Sequence, residues 1–551
     1  MTDPVLETLT GAGEPFELAR DAVGRVQFAR APRNLRDLFS ECRRHGDATC
    51  LVEADRRLSY AQSFERADAL AAQLAGEFGI GAGDHVGIAM RNGIDWAIAF
   101  LALVATGAVA VLVNSRLAPP ALRSTAEATA LRLILADDRR SEMLGAAGCR
   151  IPILRARDFR ETGRFQASAD RDADAPAAIL FTSGTTGFSK GAVLTHRNLV
   201  TGLMSVQLAG LMVLHNLARD HGIPPDVLLA KRGQAATLLV FPLFHISGLA
   251  AGLLSTMLAG GKVVVMSRWE AQAAAMLVER ERITALAGVP TMIWDLLNRA
   301  DLGQCDLSSL ANIGTGGQAL PVNLVDAIAR ACPHAVIGSG YGMTETTGTV
   351  AMAMGREFLR KRASSGRVMP IVDVRIVGED GAILPTGAAG EIHVRGATVM
   401  QRYWGQPAET ADVLDAEGWL KTGDVGRIDD EGFLFIVDRK KDMVISGGEN
   451  IYCAEVERVL CEDGRVVECA AFGIPDPRLG ERLVAVVAIG EARPDPSEEE
   501  MRALVAANLA AYKAPTRIVF TRNPLPRNAV GKIDKASLRD CWERMQQERT
   551  E

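Results

Sequence analysis

The chain has 551 residues, of which 48% are apolar and 23% are charged, and its formal net charge is −6. This length exceeds what one hydrophobic core supports, so we expect several packed subdomains. The charge balance disfavours a nucleic-acid-binding protein, and the apolar content excludes a disordered chain. The nine cysteines form neither a CxxC pair nor a Cys/His cluster, which disfavours structural zinc and a disulfide framework and favours a reducing cytoplasm.

The N-terminal part of the chain gives the first predicted elements. Its first 30 residues contain acidic side chains and no continuous apolar stretch, so we expect neither a secretory signal nor a transit peptide there. Ser59 and Gln62 form a capping-box pattern ahead of apolar residues at helical spacing, which predicts a helix packed on a core. The apolar run 96–113 contains an internal Thr-Gly pair, so we interpret it as a core helix followed by a buried strand.

The middle of the chain changes its pattern once. Short β-branched runs such as HVGIAM, AVAVLV, TLLVFPL and KVVVMS alternate with helical patterns, which predicts parallel sheets with crossover helices. After Arg375 the pattern becomes strand and glycine-rich turn. It predicts a smaller β-rich subdomain over about 371–437.

A charged run at 438–442 separates two strand-like segments, and about 110 residues follow it, which is a typical domain size. In that region ENIYCAEVERVL at 449–460 predicts a helix, while ECAAFGIPD and RLVAVVAIG predict strands. Ser497 and Glu500 predict a second capping box. We therefore expect a compact α+β C-terminal domain over 443–551.

The segment FTSGTTGFSKG at 181–191 directly follows the strand-like AAIL. Glycines allow close approach, so backbone N–H groups and hydroxyls can surround a polyphosphate, and Lys190 adds a positive charge. The spacing between Gly187 and Lys190 does not match a Walker A loop. A flexible linker is the alternative interpretation. The expected phosphate contacts are Thr182, Ser183, Gly184, Thr185, Thr186, Gly187 and Lys190.

This segment resembles the phosphate loop of the adenylate-forming superfamily, which includes acyl- and aryl-CoA synthetases, peptide-synthetase adenylation domains and beetle luciferases. The resemblance extends from about residue 35 to about residue 540, with Ser189 at a position where many members have Pro. The other motifs follow in the expected order: FPLFHISG at 241–248, TGGQAL at 315–320, YGMTETTG at 341–348, GEIHVRG at 390–396, TGD at 422–424, DRKKDMVISGGENIY at 438–452 and PRNAVGKIDK at 526–535.

The resemblance implies both a fold and an activity. The fold is α/β, with a large N-terminal domain (1–437) of two α/β subdomains and the β-rich subdomain, then a hinge (438–442) and a mobile C-terminal domain. The activity is ATP-dependent activation of a carboxylic acid to an acyl-AMP, followed by transfer to CoA, with ATP, Mg²⁺ and CoA as cofactors. An acyl-AMP ligase that loads a carrier protein, a luciferase-like oxygenase and a non-catalytic nucleotide-binding scaffold stay as alternatives. The joint presence of Lys190, Glu345, Asp424, Arg439 and Lys532 argues against the scaffold.

Two acidic residues are candidates for direct contact with the nucleotide. Glu345, in a Gly- and Thr-rich loop, can hold Mg²⁺, which carboxylates and phosphates bind together; otherwise it is a solvated acid. Thr344 beside it can contact the α-phosphate. Asp424 can accept both ribose hydroxyls, although these residues taken alone favour an ordinary Asx turn. The resemblance assigns ribose binding to Asp424 and Arg439.

The resemblance also assigns the adenine site and the catalytic lysine. Lys532 would reach in from the C-terminal domain and stabilise charge that develops on the α-phosphate, unless it is one more solvated basic residue. The adenine would lie between the backbone around 316–318 and the ring of Tyr341. The implied residues are Gly316, Gly317, Gln318, Gly340, Tyr341, Gly342, Met343 and Thr344.

The run at 438–442 matches the hinge of these enzymes, at which the C-terminal domain alternates between an adenylating and a thioesterifying pose. Lys441 takes the position of the pivot. In the second pose, the loop after it would line the channel for the pantetheine arm. Its expected residues are Ser446, Gly447, Gly448 and Glu449.

The acyl pocket is the least specified part of the prediction. His245 either lies at the entrance of the acyl tunnel, where it acts in catalysis, or is a core histidine. The segment 241–248 has no Asp to pair with an amino-acid ammonium, so we expect an aliphatic carboxylic acid instead. The stretch 208–234 is a lid, a dimer contact or part of the pocket. The expected partner is thus a small-molecule acid, together with a second copy of this chain if 208–234 is a dimer contact. We expect neither nucleic-acid binding nor a stable membrane span.

Overall fold

The computed structural model describes residues 4–166, 172–182, 190–316, 320, 322–446, 449–490, 494–528 and 531–547. The strands up to residue 315 are β1 (Leu18–Arg20), β2 (Val26–Phe28), β3 (Thr49–Glu53), β4 (Arg56–Ser59), β5 (His85–Ala89), β6 (Val109–Leu112), β7 (Leu133–Ala136), β8 (Ile153–Arg155), β9 (Pro176–Phe181), β10 (Gly191–Thr195), β11 (Ala236–Leu239), β12 (Lys262–Val265), β13 (Ala285–Gly288) and β14 (Asn312–Thr315). The later strands are β15 (Val336–Met343), β16 (Gly348–Met354), β17 (Gly366–Val368), β18 (Val372–Val377), β19 (Gly390–Gly396), β20 (Arg402–Tyr403), β21 (Leu420–Ile428), β22 (Phe433–Arg439), β23 (Val444–Ser446), β24 (Glu449–Ile451), β25 (Val466–Asp476), β26 (Gly480–Ile489) and β27 (Arg517–Thr521).

The helices connect these strands. They are α1 (Pro4–Thr10), α2 (Leu35–Ser40), α3 (Tyr60–Phe78), α4 (Ile94–Thr106), α5 (Pro119–Ala128), α6 (Asp138–Ala146), α7 (His196–His221), α8 (Pro225–Arg232), α9 (Ser255–Leu258), α10 (Ala271–Glu281), α11 (Pro290–Arg299), α12 (Val322–Ala331), α13 (Arg356–Arg360), α14 (Pro407–Val413), α15 (Cys453–Leu460), α16 (Glu498–Asn508) and α17 (Lys535–Gln547). A π-helical segment, Ser247–Leu254, precedes α9, and short 3-10 turns occur at Glu41–His45, Ala156–Asp158, Leu302–Gln304, Thr344–Thr346 and Ala511–Lys513.

Two large sheets form the N-terminal part. The first has the order β20-β10-β9-β6-β5-β7-β8, and its strands β5 to β9 are parallel. The second has the order β18-β19-β21-β22-β17-β16-β15-β14-β13-β11-β12-β3-β4, with a parallel centre from β15 to β3. The predicted α/β class with parallel sheets and crossover helices is therefore confirmed.

The strands of the β-rich region do not form a sheet of their own. β18, β19, β21 and β22 extend the second large sheet, because β22 pairs with β17 through Gly366 and Leu434. Antiparallel pairing continues outward from there. Pairing is already antiparallel from β15 to β16, so the change of sequence pattern after Arg375 falls within the antiparallel part of this one sheet.

The main hydrophobic core lies between the two large sheets and includes α3 and α4. α3 begins at the predicted capping box of Ser59 and Gln62 and ends at Gly79, which has a positive φ of 61°. α4 and β6 confirm the interpretation of the apolar run 96–113 as a core helix and a buried strand. Smaller cores cover the outer faces of both sheets, one with α10 to α12 and one with α5 and α6.

The helix α7 is the one described helix that is long and apolar enough to cross a membrane, and 61% of its apolar window is buried inside the protein. Its N-terminal half packs in the main core. A long buried helix of a large core has this composition, so α7 is a core helix and a stable membrane span is not supported. Its C-terminal half and α8 account for the stretch 208–234 as a helical hairpin.

A separate sheet forms after residue 443. Its order is β24-β23-β26-β25, and β27 pairs in parallel with β26. α16 begins at the predicted capping box of Ser497 and Glu500. The helix predicted over 449–460 was wrong at its start: β24 pairs with β23, and α15 begins only at Cys453. Antiparallel pairing of these two short strands overrides the helical pattern of the residues before Cys453.

Candidate active site

Glu345 lies in a 3-10 turn after β15, and the turn places its carboxylate in the interior. Glu345 is 6% exposed, and its Oε1 accepts a hydrogen bond of 2.8 Å from the Tyr403 hydroxyl. Burial raises the pKa of Glu345, while the Tyr403 hydrogen bond opposes that rise. The backbone oxygen of Glu345 also accepts from the N–H of Met400 at 2.8 Å. Thr344, its buried neighbour, lies in the same turn, so the structure brings these two predicted residues together.

The two ends of the phosphate loop lie beside this turn. The N–H of Thr182 donates to the oxygen of Lys190 at 2.9 Å, which closes the loop between β9 and β10. The ammonium of Lys190 lies 5.0 Å from the ring centroid of Tyr403. The predicted residues Ser183, Gly184, Thr185, Thr186 and Gly187 lie outside the described part of the chain.

Asp424 is the centre of a second polar group. It is 4% exposed and stands opposite Arg439 in the pairing of β21 with β22. Nε of Arg439 lies 3.1 Å from its Oδ1, and the Tyr341 hydroxyl donates to its Oδ2 at 2.7 Å. The structure thus joins Asp424, Arg439 and Tyr341, which the sequence analysis assigned to ribose and adenine. A ribose bound to both carboxylate oxygens would share or replace these contacts.

The predicted glycines of the adenine segment lie where side chains do not fit. A Cβ on Gly342 would lie 1.7 Å from the carbonyl oxygen of Gly348 in β16, and one on Gly340 would lie 3.2 Å from that of Ala351. Gly316, by contrast, directly follows β14, and a Cβ on it would lie in ordinary contact, 3.8 Å from the ring of Phe241. Met343 is the last residue of β15. Gly317 and Gln318 lie outside the described residues.

Lys532 reaches this site from the C-terminal part of the chain. Its loop is held by a hydrogen bond of 3.1 Å from its N–H to Oδ1 of Asn528, and Gly531 has a φ of 89°. Burial and the Arg439 guanidinium lower the pKa of Lys532 to about 8, against the opposing carboxylates of Asp424 and Glu345. The ammonium therefore lies within electrostatic range of both acidic residues.

His245 lies within electrostatic range of Lys532. Burial and the Lys532 charge lower the pKa of His245 to about 4, so its imidazole is neutral at neutral pH. Its N–H donates to the oxygen of Pro242, and its own oxygen accepts from Leu249 at the start of the π-helical segment. The structure therefore brings His245 within electrostatic range of Lys532, which both the tunnel-entrance and the core interpretation of this histidine allow.

The charged run 438–442 connects the large sheet to the C-terminal sheet. The N–H of Lys440 donates to the oxygen of Gly423 at 2.9 Å, and its ammonium pairs with Glu391 at 3.1 Å. Burial lowers the pKa of Lys441, the predicted pivot. Ser446 and Glu449 pair across β23 and β24. Gly447 and Gly448, between them, lie outside the described residues.

Comparison with known proteins decides the family. The sequence profile of AMP-binding enzymes matches residues 38–404, which is more than half of the chain. The profile of the AMP-binding enzyme C-terminal domain matches residues 455–532. The chain belongs to the family of AMP-binding enzymes. The predicted adenylate-forming superfamily is thereby confirmed.

The relatives of this AMP-binding enzyme are acyl-CoA ligases. It is 35% identical over 500 residues to a feruloyl-CoA synthase of an Amycolatopsis species, a match that covers 89% of the chain and 95% of the relative. It is 32% identical over 500 residues to a long-chain-fatty-acid–CoA ligase of Mycobacterium tuberculosis, with 89% and 94% covered. It is 33% identical over 528 residues to a methyl-dioxo-octahydroindenyl-propanoyl:CoA ligase of Rhodococcus jostii. This match covers 90% of the chain and 96% of the relative.

Solved structures agree with these relatives. The fold is similar to o-succinylbenzoate CoA synthetase of Bacillus subtilis with its acyl-adenylate intermediate, with a TM-score of 0.76, 28% identity and coverage of 91% of this chain and 97% of that one. It is also similar to ATP-bound MatB of Rhodopseudomonas palustris, with a TM-score of 0.78, 27% identity and coverage of 92% and 99%. This AMP-binding enzyme is therefore an AMP-forming acid–thiol ligase that activates a carboxylic acid with ATP and transfers the acyl group to CoA. The carrier-loading alternative is not favoured.

ATP and Mg²⁺ fit the residues of the site. Mg²⁺ prefers hard oxygen donors, commonly one or two carboxylates together with phosphate oxygens. The buried carboxylate of Glu345 supplies such a donor, and Lys190 and Lys532 bring positive charge for a polyphosphate. When bound, the metal would neutralise charge on the phosphate oxygens.

Sequence reasoning missed Tyr403, which contacts both Lys190 and Glu345. Its segment lies far from both residues in the sequence, and only the pairing of β20 with β10 brings it beside them. These strands share only two residue pairs, Ala192 with Tyr403 and Val193 with Arg402. A pairing this short leaves no periodic signal in the sequence. This residue could not have been found without the fold.

The second group that sequence reasoning missed is an arginine cluster at the ends of parallel strands. Arg91 follows β5, Arg116 follows β6 and Arg268 follows β12. Burial and the Arg140 guanidinium lower the pKa of Arg91, and Arg116 lies near enough to Arg91 for the two charges to repel. The cluster is scattered in sequence, so no local motif indicates it.

Asn92 joins this arginine cluster to the segment that contains His245. Its Nδ2 donates to the oxygen of Phe241 at 2.8 Å, and its Oδ1 accepts from the N–H of Leu243 at 2.9 Å. Arg91, the neighbour of Asn92 in sequence, is therefore tied to the segment 241–248 that the sequence analysis assigned to the acyl group.

Proposed function

We propose that this enzyme activates a large apolar carboxylic acid without an amino group. The segment 241–258, which carries His245, contains no acidic residue, and the His245 imidazole is neutral at neutral pH because its pKa is lowered to about 4. Phe244, Ile246 and Leu249 around it are buried. An ammonium group would have no carboxylate to pair with there, and burying it unpaired is costly. The acids in the names of the relatives are also large and mostly apolar.

The roles proposed for the site follow from the position of Lys532. One observation carries the proposal: an ammonium on a loop of the C-terminal part lies within electrostatic range of Glu345, Asp424 and Arg439 in the N-terminal part. In the adenylating step, the acid carboxylate attacks the α-phosphate, and a positioned cation stabilises the charge that builds up. We assign this role to Lys532, metal binding to Glu345, α-phosphate contact to Thr344, and ribose contact to Asp424 and Arg439.

We propose that the chain works as two bodies, residues 1–437 and 443–551, which move about a hinge at 438–442. The arrangement described here then corresponds to the adenylating pose, since Lys532 lies at the nucleotide residues. Lys441 would act as the pivot, and rotation would bring the loop 446–449 to the acyl-adenylate for attack by the thiol. ATP would bind in the cleft between the two bodies, as ligands commonly do at domain interfaces.

We propose that the arginine cluster binds the phosphates of CoA. CoA carries a diphosphate and a 3′-phosphate, and arginine is suited to phosphate recognition. The charge of Arg91 repels those of Arg116 and Arg268, although the carboxylate of Asp137 partly offsets this, and a bound anion would reduce the repulsion further. Arg116→Ala should then raise the KM for CoA and leave pyrophosphate exchange unchanged, whereas the exposed Arg330→Ala should change neither. An unchanged KM for CoA in Arg116→Ala would refute this assignment.

We further propose that the enzyme is cytoplasmic and dimeric. All nine cysteines are free thiols, which suits a reducing compartment. The hairpin of α7 and α8, which covers the stretch 208–234, exposes the side chain of Leu229, and we take this hairpin as the dimer contact. Analytical ultracentrifugation should show a dimer for the wild type and a monomer for Leu229→Glu. A monomeric wild type would exclude the dimer.

The substrate class can be tested with a panel of acids. Release of pyrophosphate from ATP is measured with fatty acids of increasing length, aryl propenoic acids, polycyclic propanoic acids and amino acids, each with and without CoA. We expect release only with the apolar acids and sustained turnover only when CoA is present. Turnover with amino acids, and not with apolar acids, would contradict the proposed substrate class.

A further inference from the structure

Tyr403 occupies a position between two charged residues of the site. Its hydroxyl donates to Oε1 of Glu345 at 2.8 Å, and its ring centroid lies 5.0 Å from the ammonium of Lys190. The side chain is 6% exposed. A single tyrosine therefore contacts the lysine that ends the phosphate loop with its ring and the carboxylate assigned to the metal with its hydroxyl.

The backbone of Tyr403 is firmly held. It pairs with Ala192 of β10, and the N–H of the next residue, Trp404, donates to the oxygen of Gly191 at 2.7 Å. The N–H of Tyr403 itself donates to Oγ1 of Thr410 at 3.0 Å. Because β10 begins directly after Lys190, the position of the ring is tied to the end of the phosphate loop.

The placement of the ring has an electrostatic consequence. An ammonium and a buried carboxylate attract each other strongly where the local dielectric is low. Direct pairing of Lys190 with Glu345 would neutralise both groups before Mg·ATP arrived. The face of an aromatic ring attracts a cation without neutralising it, and a hydroxyl donor orients a carboxylate without removing its charge.

We propose that Tyr403 is a positioning residue for Mg·ATP. Its hydroxyl fixes the carboxylate of Glu345 through Oε1, so that Oε2 is directed to the metal. Its ring keeps Lys190 apart from Glu345, so that the ammonium is available to the phosphates. This inference rests on the roles proposed above for Glu345 and Lys190.

The test is nucleotide binding to the full-length protein, measured by isothermal titration calorimetry. Tyr403→Phe keeps the ring and removes the hydroxyl, and Tyr512→Phe, at an exposed tyrosine, is the matched control. Loss of a hydrogen bond to a charged group should weaken Mg·ATP binding about ten- to a hundredfold in Tyr403→Phe. AMP, which has no β- or γ-phosphate to share with the metal, should bind within about twofold of the wild type. Excess Mg²⁺ should partly restore ATP binding.

Tyr403→Leu tests the role of the ring. Without the ring, Lys190 can pair with Glu345, so this variant should lose more Mg·ATP affinity than Tyr403→Phe and still bind AMP. Equal losses in the two variants would overturn the separating role of the ring. Equal losses of AMP and Mg·ATP affinity in Tyr403→Phe would show a general structural role and overturn the proposal, as would unchanged Mg·ATP binding.

A double-mutant cycle with Glu345→Gln separates this inference from the site assignment on which it rests. If Tyr403 acts through Glu345, the removal of its hydroxyl in the Glu345→Gln background should cost little further affinity. Additive losses would overturn the inference while leaving the metal role of Glu345 intact. Unchanged Mg·ATP binding in Glu345→Gln alone would instead refute the assignment of Glu345 to the metal, and the inference with it.

Discussion

Lys532→Ala separates the two half-reactions of this ligase. Lys532 lies on a loop of the C-terminal part, whereas Asp424 and Arg439 lie in strands of the second large sheet and Glu345 lies in the 3-10 turn between β15 and β16. If the C-terminal body rotates before the thiol attacks, Lys532 leaves the site before the second half-reaction begins. We therefore expect the substitution to impair formation of the acyl-AMP and to spare its conversion to acyl-CoA.

The structure sets the size of the expected effect. The pKa of Lys532 is lowered to about 8, so about nine-tenths of the molecules carry the charge at pH 7. A preorganised donor to a developing charge is typically worth about a hundred- to a thousandfold in rate. Acyl-AMP formation should fall by that factor in Lys532→Ala, and the second half-reaction should change by less than about threefold.

Two assays on one variant measure these effects. The first supplies acid and Mg·ATP and follows pyrophosphate release in a single turnover. The second supplies the presynthesised acyl-AMP and CoA and follows acyl-CoA. Lys421→Ala, at an exposed lysine of β21, is the matched control and should behave as the wild type in both. Equal losses in the two assays would refute the separate roles of the two poses and leave Lys532 as a residue of general nucleotide affinity or structure.

Three further changes test other parts of the site. Glu345→Gln should weaken Mg·ATP binding by at least about tenfold, since a neutral amide is a poor ligand for Mg²⁺. Titration calorimetry measures this, with Glu417→Gln at an exposed position as the control. If Glu345→Gln binds Mg·ATP as tightly as this control, Glu345 is a buried acid without a role in metal binding. The kcat/KM for adenylation should decline above a pH of about 8, because Lys532 loses its proton there. This alkaline decline should be absent from the pH profile of Lys532→Arg, because the guanidinium of arginine stays charged. Gly342→Ala places a Cβ 1.7 Å from a carbonyl oxygen of β16. In a denaturation experiment, this variant should have a free energy of unfolding about 1–3 kcal/mol below that of the wild type. Gly76→Ala in α3, where open space surrounds the new Cβ, should be neutral or stabilising in the same experiment.

Much of the fold could be predicted from the sequence because its signals are local. The capping boxes at Ser59 and Ser497 indicate helix starts within one residue of where they occur. The alternation of apolar strands and helices follows from the period of each element. The strand Glu449–Ile451 could not be predicted, since it depends on pairing with β23, which itself joins β26 of the C-terminal sheet.

Candidate site residues could be proposed from the sequence where they lie in contiguous motifs, as Glu345 and Asp424 do, and their roles stay predictions. The partners of these residues come from distant segments: Tyr341 meets Asp424 across 83 positions, and Tyr403 meets Glu345 across 58. Contacts of this kind depend on strand order, which the sequence does not reveal. The same reason explains why the extension of the large sheet by β18, β19, β21 and β22 was not foreseen.

Oxygen transfer from the acid to AMP tests the central claim most directly. A substrate acid labelled with ¹⁸O in its carboxylate is incubated with the enzyme, Mg·ATP and CoA, and the products are analysed by mass spectrometry. Attack of the carboxylate on the α-phosphate, followed by thiol attack on the acyl carbon, leaves one labelled oxygen in each AMP formed. We expect this label in AMP and none in pyrophosphate. Unlabelled AMP, or label in inorganic phosphate together with ADP, would contradict activation through an acyl-adenylate.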